Sequence, residues 1–88
     1  MTNFLFNSRI RDYVQKYKES QPCRDCGVVY PPWIMDFDHT HSKLANVSQM
    51  ASKGYTLEQV QKEIAKCELV CANCHRTRTH QRRLDKHL

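Results

Sequence analysis

The sequence predicts a small α+β fold clamped by a four-cysteine metal site, and three observations predict it. Cysteines occur in two Cys-x-x-Cys pairs, Cys23-Arg24-Asp25-Cys26 and Cys71-Ala72-Asn73-Cys74. That spacing lets each pair aim two sulfurs at one tetrahedral zinc ion. Short runs with strand character, around Trp33, Met35 and Phe37 and again at Glu68-Leu69-Val70, alternate with segments of helical spacing. Finally, the chain has 88 residues of which 40% are hydrophobic, enough for one domain with a thin core. An ion tying its two ends together supplies folding energy that such a core lacks.

Each element follows from local chemistry. Asn7 or Ser8 caps a helix expected over 9–19, with Ile10, Tyr13, Val14 and Tyr17 on one apolar stripe. Gln21-Pro22 ends it, and Gly27 permits the tight turn of the first cysteine knuckle. Pro31-Pro32 forces an extended entry into a strand over 33–38, where Trp33, Met35 and Phe37 share a face. A polar insert follows from Ser42, with a short helix over 48–53 stopped by Gly54. Thr56-x-x-Gln59 is a capping box that opens a helix with Leu57, Val60 and Ile64 inside. A second strand over 68–70 runs into the second knuckle, and a last helix starts near Asn73 or Cys74. The chain thus divides into an N-terminal helix in 1–20, a metal-held core in 21–80 and a basic helix end in 81–88.

Fourteen Lys and Arg against nine Asp and Glu give a net charge of +5, which favours polyanionic partners. The last helix concentrates this charge in Arg76, Arg78, Arg82, Arg83 and Lys86, as a segment that follows phosphates would. Met1 to Phe6 holds no basic leader before a long apolar stretch, and no segment has the length of a membrane span. The expectation is a cytoplasmic protein with no membrane partner, or a phage-encoded one acting in the host cytoplasm. There, thiols bind zinc rather than form disulfides. Cys67 is expected to be a small apolar residue of the second strand. Four strand residues separate it from Cys71, about 13 Å, too far to share an ion.

The segment Asp36-Phe37-Asp38-His39, followed by Cys71-Ala72-Asn73-Cys74-His75-Arg76, resembles the HNH endonucleases over about 23–80. It is most similar to their zinc-bearing phage and bacterial members, in which two Cys-x-x-Cys pairs bracket a strand-borne Asp-His. The resemblance implies a ββα-metal, treble-clef-like nuclease core and a DNA substrate. It also implies two kinds of metal: a structural Zn²⁺ on Cys23, Cys26, Cys71 and Cys74, and a catalytic divalent ion on Asp38 and His75. Mg²⁺, Mn²⁺ or another divalent transition metal suits a carboxylate and an imidazole. His39 is the implied general base, since a neutral imidazole takes a proton from water near pH 7. In the commoner pattern an Asn stands about where this chain has Lys66. Asn73 and Asn46 are the substitutes, and Asn73 is preferred. The Asp-His-x-His pattern, shared with some phage Holliday-junction resolvases, makes His41 a second candidate, with an exposed loop His as the competing reading.

Strict strand alternation sends Asp38 and His39 to opposite faces, so the strand is expected to end or bulge there. A non-catalytic zinc finger that binds DNA is the alternative. It would use the same cysteines and basic helix without needing Asp38 or His39. One ββα-metal site, as the resemblance implies, cuts one strand, so a monomer and a homodimer are both open.

Overall fold

A computed structural model describes residues 2–86, with side chains from Ser8 onward. Helix α1 spans Thr2–Glu19, so Asn7 and Ser8 lie inside it rather than capping it. No Gly or Pro interrupts this segment, and nothing local stops the helix from extending back. Ile10 is buried, and Tyr13, Val14 and Tyr17 pack around it as the stripe predicts. At the knuckle, Gly27 takes a φ of +73° and its N–H donates to the Cys23 carbonyl at 2.8 Å.

The expected strand starts two residues late. Pro31 holds an extended conformation, and Pro32 opens a single 3₁₀ turn, Pro32–Ile34, because a proline ring already has the φ of a helical first residue. Trp33 is therefore turned outward instead of sharing a face with Met35 and Phe37, and is 81% exposed. Strand β1 is Met35–His39 and pairs antiparallel with β2, Cys67–Cys71. Their register runs from Met35 opposite Cys71 to His39 opposite Cys67.

Between the strands, α2 (Val47–Met50) continues into a 3₁₀ turn (Ala51–Lys53) that Gly54 ends at a φ of +80°. Helix α3 (Leu57–Ile64) has the predicted capping box. The Thr56 hydroxyl accepts from the Gln59 N–H at 3.2 Å, and the Thr56 N–H donates to the Gln59 amide oxygen at 2.8 Å. Helix α4 (Ala72–Lys86) begins directly after Cys71, slightly before the expected start. The predicted end of this helix includes 87 and 88, which lie outside the described residues. Among the described residues no helix is long and apolar enough to cross a membrane.

Among the described residues two buried clusters result. One joins α1, α2 and α3 through Ile10, Val47, Met50, Val60 and Ile64; the other joins the knuckle and hairpin through Cys23, Met35, Leu69, Val70 and Cys71. Tyr17 and Phe37 pack against both, with ring centroids 5.7 Å apart. The small α+β architecture therefore places a four-cysteine cluster at one end of the hairpin and the α3 contact at the other.

Candidate functional site

The cysteine cluster forms because two local turns meet at the end of β2. The Sγ atoms of Cys23, Cys26, Cys71 and Cys74 all lie within 4.8 Å of one another. Tetrahedral zinc at 2.3 Å from each sulfur separates them by about 3.8 Å, so the set fits such an ion. Backbone N–H groups support thiolate charge: Cys71 N–H donates to Cys23 Sγ at 3.2 Å, and Cys74 N–H to Cys71 Sγ at 3.4 Å. Burial opposes ionisation of Cys23, but the N–H groups of Cys26, Cys71 and Asp25 outweigh it and bring the thiol down to about 6. Cys67 stays out of the cluster. Its thiol donates to the Glu63 carbonyl at 3.4 Å, and burial pushes it up to about 11, as befits an apolar packing residue.

β1 ends at His39 without a bulge, so alternation is kept and Asp38 and His39 diverge. Asp38, only 3% exposed, turns toward α4. Arg82 donates to both of its oxygens at 2.8 and 2.7 Å, and Arg78 donates to Oδ2 at 2.8 Å. The Arg82 hydrogen bonds, joined by Arg78 and opposed by burial, hold the carboxyl down at about 2. Arg78 also clamps Asp25 of the knuckle with two bonds of 2.6 Å and reaches Glu68 at 2.9 Å. Arg78 and Arg82, expected to face a nucleic acid, also bond within the protein, and half of the Arg82 side chain is exposed. Three carboxylates on the knuckle and hairpin capture them, and the guanidinium of Arg78 is the link.

His75 stands between two aspartates. Its Nδ1–H donates to Asp36 Oδ2 at 3.0 Å, while Nε2 lies 3.5 Å from Asp38 Oδ1. A carboxylate on one ring nitrogen fixes the tautomer and turns the other nitrogen outward as a ligand, the usual support for a metal-binding imidazole. Asp38 Oδ1 and His75 Nε2 thus face each other. Three arginine hydrogen bonds use most of the roughly four lone-pair positions of the carboxylate and leave one toward His75. Among the described residues, the cysteine cluster is the group in which three or more potential metal ligands converge.

His39 turns the other way, to α3. Its Nε2–H donates to Glu63 Oε2 at 2.8 Å, which leaves a lone pair on Nδ1 of the neutral ring. Glu63 is 1% exposed and also accepts from the Leu44 N–H at 2.8 Å and from Lys66 Nζ at 2.9 Å. Burial resists its ionisation, yet Lys66, the Leu44 N–H and His39 together hold it at about 2. His39 and His75 nonetheless open onto one cavity of about 280 Å³, shared with Asp36 and Asn46.

His41 and Asn73 stand apart. The Thr40 hydroxyl donates to the Lys66 carbonyl, so the exposed His41 gives its Nδ1–H to that hydroxyl oxygen at 3.0 Å and turns along the loop. Asn73 is exposed in the first turn of α4, and its carbonyl accepts from the Thr77 hydroxyl at 2.9 Å. Neither lines the His39 cavity.

Glu63 and Asp36 were missed by sequence reasoning, yet both left a signal. Glu63 sits three residues after Val60 and next to Ile64, on the apolar face of α3, where a charge needs a partner. Asp36 shares a strand face with Asp38 by simple alternation. The other basic residues of α4 face outward. Arg76, His80 and Arg83 lie at helical spacing and line an open cavity of about 470 Å³ that also reaches His75 and Asp36. Among the described residues Arg76 and Arg83 form no ion pair.

Compared with known proteins, the chain matches no family model, no curated protein and no solved structure.

Proposed function

We propose that this protein is a metal-dependent DNA endonuclease of the HNH type, with a ββα-metal core built on a structural zinc site. One observation carries this reading: His75 faces Asp38 with one ring nitrogen, is fixed by Asp36 with the other, and shares a cavity with His39. Asp38 and His75 would hold a divalent ion such as Mg²⁺ or Mn²⁺, which neutralises phosphate charge and assists the leaving oxygen when bound. His39 takes the proton of the attacking water at Nδ1, and Glu63 stabilises the resulting imidazolium at Nε2. That arrangement gives Glu63 the task of orienting the base. The cysteine cluster fixes the start of α4 and hence the position of His75, the residue after Cys74.

The test is nicking of supercoiled plasmid with added divalent ions. Wild type is expected to nick, and His39→Ala to lose a factor of about 10²–10⁴ in rate while still binding DNA. A wild type that nicks with none of Mg²⁺, Mn²⁺, Co²⁺, Ni²⁺ or Zn²⁺ overturns the reading. A second reading, a non-catalytic zinc-bearing DNA-binding module, draws on the arginines that already satisfy most of the Asp38 carboxylate. DNA binding without cleavage would favour it.

DNA contact is assigned to Arg76 and Arg83, and the arginines of α4 should separate cleanly by role. Replacing Arg76 and Arg83 with Ala is expected to weaken DNA binding several-fold. It should also flatten the plot of log K against log salt by about 0.9 for each lost phosphate contact, with thermal stability unchanged. Arg78→Ala should do the reverse, lowering thermal stability by removing the guanidinium that ties Asp25 and Glu68 to Asp38, while Arg82 still holds Asp38. An unchanged salt slope in the Arg76, Arg83 double variant would move the substrate elsewhere on the surface.

A further inference from the structure

We propose that Trp33 is a stacking platform for one unpaired nucleobase, so that the preferred substrate carries a single-stranded or frayed segment; this rests on the DNA reading above. Trp33 is the sole tryptophan of the chain and is 81% exposed, whereas tryptophan is highly buried on average. Its setting is rigid. Pro31 and Pro32 fix the backbone on one side, and the 3₁₀ turn closes with an Ile34 N–H bond to the Pro31 carbonyl at 3.0 Å. A rigid aromatic face loses little entropy on stacking.

The surroundings suit a base with its phosphate. Trp33 borders a cavity of about 250 Å³ whose wall combines apolar Val14, Pro32 and Ala51 with the cations Arg11 and Lys18. The volume lies below the range of drug-sized pockets and suits a single planar ring system. No acidic side chain lines it among the described residues. An aromatic plane next to cations is the arrangement by which proteins grip single strands, because every base offers a π-face and every linkage a charge. A peptide partner would gain from the apolar wall but not from the two cations, unless it were acidic.

Position supplies the remaining argument. Val47 and Ser48 line both this cavity and the one that holds His39 and His75. A strand whose base rests on Trp33 therefore runs its backbone over α2 toward the candidate catalytic residues. Bases of an intact duplex are stacked on one another and cannot reach such a platform without flipping, which costs a few kcal/mol.

The sole tryptophan reports on its own occupancy. Zinc-replete protein without added divalent ion is titrated with a single-stranded DNA oligonucleotide, with the same length made wholly abasic, and with the matching duplex. The expected result is strong quenching of Trp33 emission by the single strand, much weaker quenching by the abasic strand and weaker binding of the duplex. Trp33→Ala should bind the single strand at least fivefold more weakly and melt as the wild type does, since the side chain is exposed; Trp33→Phe should recover most of the affinity. Equal quenching by the abasic strand, or unchanged affinity in Trp33→Ala, overturns the inference. So does a shift in emission that follows protein concentration alone, which would place a second copy of the chain on this face. If wild type nicks plasmid while Trp33→Ala binds single strands unchanged, this inference fails and the nuclease reading stands. If Trp33 is quenched base-dependently but no divalent ion supports cleavage, the nuclease reading fails and the stacking site stands.

Discussion

Cys71→Ser is expected to release the bound metal and leave the chain without a cooperative thermal transition near physiological temperature. Cys71 has two tasks. Its Sγ belongs to the four-thiolate cluster, and its backbone closes β2 opposite Met35 inside the second buried cluster. That cluster holds few large apolar side chains, so little hydrophobic energy compensates for lost coordination. Structural zinc contributes apparent free energies of about 10–16 kcal/mol in small domains, against a net stability of about 5–15 kcal/mol for an ordinary one. Losing one ligand therefore removes an amount comparable to the whole margin. The checks are metal content after gel filtration and the far-UV melting curve. Cys67→Ala is the control and should retain the metal, because its thiol lies outside the cysteine cluster and packs against the core that joins α1, α2 and α3. Normal metal content in Cys71→Ser would remove the four-cysteine centre from the account.

Glu63→Ala should lower both stability and cleavage. The carboxylate gathers His39, Lys66 and the Leu44 N–H in a site where it is 1% exposed. Alanine leaves all three without their acceptor, at a cost of about 3–5 kcal/mol for breaking a buried charged network. For a domain of this size each kcal/mol is worth about 4–8 °C in Tm. Glu63→Gln keeps the volume and an acceptor for Leu44, so it should fold better yet still lose cleavage, because a neutral amide stabilises an imidazolium at His39 less well. The dependence on pH separates charge from packing. Glu63 is held at about 2 in the folded protein, below its ordinary value of 4.5. A carboxylate with a depressed folded pKa contributes stability above its unfolded value and loses that contribution as pH falls toward the folded one. The stability gap between wild type and Glu63→Gln should therefore shrink as pH falls between about 4.5 and 2. Any metal lost in acid is lost by both proteins, so the difference isolates Glu63. A gap that does not change with pH would mean that Glu63 acts by shape alone.

The sequence by itself determined the parts whose chemistry is local. Two cysteines separated by two residues chelate whatever surrounds them, and Gly27 and Gly54 occupy left-handed turns that nearby residues define. Thr56 and Gln59 cap a helix through atoms three residues apart. The two strand segments, the buried stripe of α1 and the packing role of Cys67 were legible for the same reason. What only the tertiary structure decided is the pairing of distant side chains. Spacing puts Arg78 and Arg82 on the face of α4 that carries His75, but whether that face meets solvent or the hairpin depends on how the helix is rotated. The anchoring of Cys71 and Cys74 at its first turn sets that rotation, and it delivers both guanidiniums to Asp38, forty and forty-four residues earlier in the chain. Trp33 looked like a strand residue because alternation ignores the fixed φ of Pro32, which turns the chain before β1 begins. Glu63 and His39 are twenty-four residues apart, and their bond exists only because the insert folds α3 back against the end of β1. A buried charge shows in a sequence as an exception to a pattern; the partner that makes it tolerable is a property of the assembled fold.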